Sequence, residues 1–465
     1  MALSALPYQQ FLRAKESEFF SLIEQGSISP WLFPHDFLVV AIPILALWIP
    51  AGRPGSLAVR YAAFGVVCAL SIRSILYTRC LIGGGTIVGF YYAFVIIWSA
   101  VFLVFKDVRT ECYRIERRDG SFYWQGYPDT LYHRLTWLLD LFSSLRGVGW
   151  NWRIPGLPRL PEVDQPCVTE YRATSLLKTS LCRTAVYYVL MDILRMLVML
   201  DPYFWGLIDT PPLPPLDRIY RFSPALMRLA RTVISVLWIR TVMAYLFSMV
   251  PLFASIIALL PGVSAHSHTP PDAPWLYPPL FANFFNFRTV LDHGLPGWWG
   301  RRWHQTYRYA FAETARHCVP VQSSQERDRF LRQCVAFLLS GIMHTCAVHA
   351  HFAPRARVGG GSLLFFAVQP VGMLLQQRLR RGFAEGSRWE RAFTLVSTYA
   401  WLYLSIGPFC DELAAAGTWG YDEPVPVSLA RGLGVIEGEG WWVWERSYVR
   451  WWRGQKWWQN GIQII

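Results

Sequence analysis

Thr86-Ile87-Val88-Gly89-Phe90-Tyr91-Tyr92-Ala93-Phe94-Val95-Ile96-Ile97-Trp98-Ser99-Ala100-Val101-Phe102-Leu103-Val104-Phe105 contains no charged residue. A helix of about 20 apolar residues is long enough to cross the hydrocarbon of a bilayer, so this stretch sets the fold class. Gly83-Gly84-Gly85 opens it and Lys106-Asp107 closes it. Upstream, Asp36 to Pro50 and Tyr61 to Ile72 are shorter apolar stretches, which makes three membrane segments the expectation for residues 1–105. Downstream, residues 106–183 turn polar, basic and rich in Gly, Pro and Trp, and Leu135 to Leu145 is patterned as an amphipathic interfacial helix. The arginine excess assigns this region to the cytosolic face.

Apolar runs return at Thr184 to Leu200 and at Thr232 to Leu260, separated by the stiff connector Pro211-Pro212-Leu213-Pro214-Pro215. Arg231 and Arg240 make the start of the second run partly polar, and Pro251 is expected to kink it. A second basic, aromatic region runs from Asn283 to Arg332. Cys334 to Phe352, Leu363 to Leu375 and Phe393 to Ile406 then complete a membrane core over residues 184–410, with a basic loop from Arg378 to Arg391. In residues 411–465, Trp441, Trp442, Trp444, Trp451, Trp452, Trp457 and Trp458 are interleaved with arginines, a composition suited to lipid headgroups or, alternatively, to a CoA-facing or partner surface. The expected architecture is therefore all-α, a polytopic membrane bundle of roughly seven to nine transmembrane helices with interfacial helices.

Composition agrees. Of 465 residues 53% are hydrophobic and 16% charged, against roughly 25% charged in an ordinary soluble domain. The net charge of +13 comes from Lys+Arg 44 over Asp+Glu 31, and lysine occurs only at Lys15, Lys106, Lys178 and Lys456. Guanidinium forks grip phosphates and carboxylates bidentately, and basic residues flanking membrane helices produce the same excess. The basic residues are divided among hydrophobic segments with no recognised module, which argues against nucleic acid as a partner and for the lipid bilayer. Cys 9 without a CxxC pair indicates neither a disulfide framework nor a structural metal site. The first 30 residues carry charges and no apolar core before a cleavage site, so a removable signal peptide is not expected.

Two histidines stand in contrasting settings. His344 lies in Ser340-Gly341-Ile342-Met343-His344 inside an apolar stretch, where an imidazole is expensive unless something uses it. Gly341 permits close backbone approach beside it, and desolvation favours the neutral ring, which accepts a proton. The bland alternative is a histidine bonded to a neighbouring helix. His304 ends the run Trp298-Trp299-Gly300-Arg301-Arg302-Trp303-His304-Gln305. Arg301 and Arg302 suit the phosphates of a nucleotide carrier, and Trp299 and Trp303 suit an adenine ring or an acyl path, although the run also fits a positive interfacial anchor. Asp192 and Arg195, three apart on a helix, either neutralise each other or contact substrate. His268-Thr269-Pro270-Pro271-Asp272 fits the HxxxD pattern of soluble acyltransferases but lacks the following glycine and lies in a proline-rich loop. There is no GxSxG nucleophile elbow. His344, His349 and His351 share a face only in part and have no accompanying carboxylate, so no metal is expected.

Trp299 to Gln305, followed about forty residues later by the His344 motif, resembles the wax-synthase branch of the membrane-bound O-acyltransferases (MBOAT). Arg146-Gly147-Val148-Gly149-Trp150-Asn151-Trp152 is similar to a segment of fungal members that acetylate hydroxyls on terpenoids and related natural products, and Met191-Asp192-Ile193-Leu194-Arg195 also resembles that group. The resemblance covers roughly Arg146 to Ile406. It implies that His344 is the catalytic histidine and that His304 occupies a position where relatives carry an assisting asparagine or histidine. It also implies a donor-binding face at Trp299, Arg301, Arg302 and Trp303, and acceptor contacts at Asp192 and Asn286. The stretch Asp292-His293-Gly294-Leu295-Pro296-Gly297 departs from the serine- and leucine-containing lead of relatives, which bears on local loop geometry. The implied reaction moves an acyl group, acetyl by resemblance, from acyl-CoA to a secondary-metabolite hydroxyl at the endoplasmic reticulum, with no permanently bound cofactor. A fatty-alcohol acyltransferase making wax esters and a transporter or scaffold with structural histidines are the alternatives.

Overall fold

In a computed structural model the described residues are 3–465 except 5, 50–54, 119–120, 161–172, 261–276, 282–285, 322–324, 353–359, 422, 424, 438–439, 445–448 and 455. The His268 to Asp272 motif and Asn283 lie outside them. The chain begins with β1 (Leu3–Ser4), α1 (Leu6–Glu24) and β2 (Ser29–Phe33), then α2 (Ala41–Trp48), α3 (Ser56–Tyr77), β3 (Thr78–Arg79) and α4 (Thr86–Ala100). A polar region follows with α5 (Val108–Glu111), β4 (Arg114–Arg118), β5 (Ser121–Gln125) and α6 (Leu131–Ser143). The second half holds α7 (Ala173–Met199), α8 (Asp217–Phe222), α9 (Pro224–Ala258), α10 (Arg288–Gly297), α11 (Arg308–Cys318) and α12 (Gln325–His349). It ends with α13 (Gly361–Ala367), α14 (Gln369–Arg380), α15 (Arg388–Ala415), α16 (Leu429–Gly432), β6 (Ile436–Glu437), β7 (Val449–Trp452) and β8 (Gly461–Ile464).

Four described helices are long and apolar enough to cross a membrane: Ser56–Tyr77, Ile82–Phe105, Pro224–Ala258 and Gln325–His349. That is fewer than the roughly seven to nine expected from apolar runs. Two of the runs prove short or divided. Asp36 to Pro50 yields only the eight-residue α2 after a 3-10 turn, and Leu363 to Leu375 is split between α13 and α14. Pro251 does not end α9, which runs through it to Ala258. Ser223 caps the start of α9 by accepting from the Leu226 amide at 3.2 Å.

Close backbone approach builds the centre. A Cβ on Gly89 would lie 2.0 Å from the carbonyl oxygen of Cys346, so α4 and α12 cross with no side chain between them. On another side of α12, the Gly341 position meets Leu363 at 3.0 Å, which seats α13 against the turn before His344. Around this crossing Phe365, Phe366, Phe409, Trp205 and Tyr421 join one buried cluster, with Phe365 and Phe409 stacked at 5.2 Å. A hydroxyl pair, Thr184 with Ser248 at 2.9 Å, ties α7 to α9.

The all-α expectation is met by the bulk of the chain but not by its edges. β2 is flanked by β3 and β8, and β7 pairs with β8, giving the order β3-β2-β8-β7. Each strand here is only two to five residues long, below the length at which period-two patterning becomes visible. The amphipathic helix expected at Leu135 to Leu145 is present as α6, but Trp137, Leu138, Leu141 and Phe142 are buried within the protein. The Trp98 indole donates to the Phe142 carbonyl at 3.1 Å, fastening that face to α4. Trp150 and Trp152 of the Arg146 run are buried beside it, with Trp150 edge-on to Trp137 at 4.9 Å.

Candidate active site

The basic motif does not form a simple loop. Trp298–Arg302 closes as a π-turn, with the Trp303 amide donating to the Trp298 carbonyl at 2.8 Å. Such i→i+5 turns are rare and recur at functional sites. Gln305 stabilises the turn by donating to the carbonyls of Trp299 at 2.6 Å and Trp303 at 2.8 Å. Arg308 donates to the Gly300 carbonyl at 2.7 Å. Before the turn, Gly294 adopts φ 61° and the Leu295 amide donates to Gln376 Oε1 at 2.8 Å. The departing Asp292 to Gly297 stretch is thus the end of α10, bent at Gly294.

Because the turn is wide, its two arginines diverge. Arg301 is exposed and donates to His293 at 3.0 Å. Arg302 is buried, donates to the Asn286 carbonyl at 2.5 Å and lies 4.8 Å from the Phe287 ring. The expected donor-binding face of four residues is therefore divided: Arg302 serves local structure and Arg301 faces outward. Trp299 also points inward, against Phe337, Phe365 and Phe366, with its indole donating to Gln369 Oε1 at 3.2 Å. Trp303 packs on Phe281 at 5.5 Å and on His304 at 5.6 Å. Asn286 is exposed and caps Arg288 through its side-chain oxygen at 3.2 Å.

After Trp303 the backbone is extended, and His304 enters a ring of aromatics with Phe281 at 5.9 Å and Tyr307 at 5.8 Å. Its Nδ1 is buried with no hydrogen-bond partner among the described residues. Burial, with the His344 ring and the Arg146 guanidinium nearby, pulls its pKa down from the usual imidazole range to about 3. His304 is therefore neutral at any physiological pH, and His344 is close enough to act on its charge. Two imidazoles about forty residues apart in sequence thus feel each other electrostatically.

His344 is held by its own helix. Its Nδ1 lies 2.7 Å from the Ser340 carbonyl, and a carbonyl only accepts, so Nδ1 carries the proton. The Nε2 lone pair is left for chemistry. Phe366 at 4.3 Å, Phe90 at 4.7 Å and Phe409 at 5.5 Å surround the ring. These three phenylalanines escaped the sequence reading because aromatic residues occur throughout the chain. Gln369 and Arg308 escaped it too. The only available signal was that each is polar and falls within a few residues of an aromatic run.

Asp192 is not paired with Arg195, and it is not near the histidines by any contact. Its carboxylate accepts from the Ser428 hydroxyl at 2.5 Å and from the Ala430 amide at 2.9 Å. Arg195 pairs instead with Glu423 at 3.0 Å and donates to the Trp419 carbonyl at 2.8 Å. Arg431 takes the other Glu423 oxygen at 2.8 Å. The expected exchange within one helix is replaced by a network that fastens residues 419–431 to α7.

Residues 277–368 match the family described as Membrane bound O-acyl transferase family. Both histidine motifs fall inside the matched segment. The chain is similar to membrane bound O-acyl transferases. Among curated proteins it is 24% identical over 314 residues to acetyltransferase eriL of Hericium erinaceus, covering 65% of this chain and 72% of that protein. It is 24% identical over 331 residues to O-Mevalon transferase macI of Penicillium terrestre, covering 66% of this chain and 65% of that one. O-Mevalon transferase yanI of Aspergillus niger is 23% identical over 317 residues, covering 64% of this chain and 66% of its own length. The chain thus spans about two thirds of the length of these relatives. No solved structure is significantly similar to it. The resemblance to fungal acetyltransferases of this family, read first from the histidine motifs, is borne out.

Proposed function

We propose that this chain is a multi-pass O-acetyltransferase of the endoplasmic reticulum that moves an acetyl group from acetyl-CoA to a hydroxyl of a secondary metabolite such as a terpenoid. The observation that carries the reading is the His344 tautomer: Nδ1–H is committed to Ser340, so Nε2 is a ready base inside an aromatic cage. In the proposed reaction Nε2 takes the proton of the acceptor hydroxyl while its oxygen attacks the thioester carbonyl. The carbonyl becomes an oxyanion, and His304, neutral and with Nδ1 unpartnered, is a donor for it when that nitrogen carries the proton. Collapse breaks the C–S bond, the coenzyme A thiolate recovers the proton from His344, and the ester leaves. A thiol of pKa about 8.5 needs little further help as a leaving group. Water is the competing acceptor, and the phenylalanines around His344 keep it away.

The donor's phosphates have one exposed candidate at the π-turn, Arg301. The acetyl choice draws on the relatives named acetyltransferase; the other relatives are named for mevalon transfer, and wax-ester synthesis would need a long acyl donor. The deciding experiment supplies microsomes containing the protein with acetyl-CoA and, separately, palmitoyl-CoA, together with a panel of hydroxylated terpenoids and fatty alcohols, and identifies esters by mass. Acetyl esters of terpenoid alcohols are expected. Exclusive use of palmitoyl-CoA would overturn the short-acyl assignment.

A further inference from the structure

The register of the C-terminal sheet gives it two unlike faces. Phe33 of β2 pairs with Ile462 of β8, and Ile462 pairs with Trp451 of β7. Residues directly opposite one another in antiparallel strands project to the same side, so these three side chains form one row across the sheet. The row is apolar and open: Phe33 is 48% exposed, Ile462 40% and Trp451 63%. The neighbouring row, Leu32, Gln463 and Arg450, takes the opposite face. Gln463 is buried there and accepts from Arg450 Nε at 2.6 Å, and the Arg450 guanidinium carbon lies 4.2 Å from the centre of the Phe20 ring of α1.

Further along, the same apolar face already touches a membrane span. Trp31, two residues before Phe33 and so on the same side, is buried, stacks on Phe37 at 4.8 Å and lies 6.1 Å from Tyr91 of α4. α4 belongs to the stretch Ile82–Phe105, which is long and apolar enough to cross a bilayer. At its edge the sheet is joined to a second such helix, because β3 follows directly on α3 and pairs with β2. That helix turns Ile72, Leu76 and Tyr77 outward just before the strand begins. From β3 the order β3-β2-β8-β7 extends the sheet by three strand spacings, about 14 Å. The sheet is therefore built like an eave, with part of its apolar face resting on the bundle and the rest uncovered. The tryptophans of the tail are not equivalent in it: the Trp444 indole donates to the Glu423 carbonyl at 2.8 Å, while Trp451 stands at the outer end of the open row.

We propose that the uncovered face is a lipid-interface foot, with Phe33, Ile462 and Trp451 seated at the boundary between headgroups and acyl chains of the bilayer in which α3 and α4 stand. The occupant follows from direction. The open row projects on the side where Trp31 meets a membrane span, and beyond the protein such a span is surrounded by lipid. Tryptophan favours this boundary, where its ring is in an apolar medium and its N–H still finds an acceptor. Residues 449–465 add Arg450, Arg453 and Lys456 and no acid, which suits the phosphates of the headgroups. The sheet lies at the start of the Ile82–Phe105 span, and the polar region beginning at Lys106 lies at its other end. The foot therefore rests on the leaflet opposite the one that the polar region meets. This inference concerns how the chain sits in the membrane and stands apart from the acyl-transfer reading.

The test reads lipid contact directly. The full chain is placed in phosphatidylcholine nanodiscs whose lipids are brominated high on the acyl chain, with one fluorescent amino acid introduced in place of Ile462, of Ile72 on α3, or of Glu385 in the exposed basic loop. Bromine quenches only a fluorophore that it touches. Quenching at Ile462 is expected to approach that at Ile72 and to exceed that at Glu385 by at least about two-fold, with iodide in the water giving the reverse order. Where the chain labelled at Ile462 does not fold, as judged by size exclusion, Phe33 takes the label in the same row. A label at Ile462 that iodide quenches as strongly as at Glu385, and bromine no more, shows a face open to water and overturns the proposal. A label shielded from both quenchers shows a protein cover, a second copy or another chain, and overturns it equally. Loss of bromine quenching at Ile72 as well would remove α3 from the bilayer and the foot with it.

Discussion

Two polar sites are set into this apolar protein, and they are built in opposite ways. Around Glu423, the buried charges of Arg195, Arg431 and Asp192 reach carboxylates, hydroxyls and backbone groups at 2.5–3.1 Å. Around His344 the polar groups are few, the neighbours are rings, and His304 keeps a buried nitrogen with no described partner. A network whose charges are paired with one another specifies structure. A buried site with an unspent nitrogen is costly unless a substrate completes it. Polarity in an apolar environment is thus ambiguous until its hydrogen bonds are accounted for.

The contrast is broken or sharpened by substitutions on each side. Glu423→Ala leaves two buried guanidinium groups without their shared counter-ion, and removing one partner of a buried pair costs about 3–5 kcal/mol. A large fall in melting temperature in detergent is expected, and an unchanged melting curve would mean that the network is not structural. His344→Ala should do the reverse, cutting acyl transfer by about 10²-fold or more while the protein remains folded by size exclusion. Activity at the wild-type level would remove His344 as the base.

His304 separates the two kinds of site most finely. His304→Asn, which retains a hydrogen-bond donor, should lose less activity than His304→Ala, for which a loss of about 10²-fold is expected from removing an oxyanion donor. The same residue sets a pH dependence. Its folded pKa of about 3 lies below the unfolded value of about 6.5, so protonation favours the unfolded chain. The stability it contributes is complete above pH 6.5 and is lost as pH falls toward 3, by about 1.4 kcal/mol per unit at most. Melting measured from pH 7.5 to 5 should therefore fall less steeply in His304→Asn than in the wild type, and parallel curves would contradict the buried neutral ring.

How much of this was legible in the sequence depended on the range of the interaction. His344 stood out because one imidazole interrupts an apolar run, and Gly341 was legible as a close-approach residue, which its contact with Leu363 bears out. The divergence of Arg301 and Arg302 was not legible, because it depends on a π-turn that alters which consecutive residues face outward. Asp192 and Arg195 have the spacing of a helical ion pair, yet each is claimed by residues more than two hundred positions away. Local spacing carries no information about such competitors. The phenylalanines around His344 are equally silent, since nothing distinguishes Phe90 from the other aromatic residues of its run until α12 is laid across α4.

The buried hydroxyl of Tyr8 donates to the Gly420 carbonyl across 412 positions of chain, at 2.5 Å, and β2 likewise waits for β8. At synthesis rates of about 5–20 residues per second, that separation corresponds to roughly 20–80 s on the ribosome. Throughout that interval α1 has been made and this last partner has not. Tyr8, Leu12, Phe19 and Ile23 form the face it buries, and that face is covered in stages: Tyr8 meets Trp205 and Phe19 meets Phe352 before the Gly420 carbonyl closes over the Tyr8 hydroxyl. The order of manufacture therefore leaves the first helix to be sealed by the last tenth of the chain.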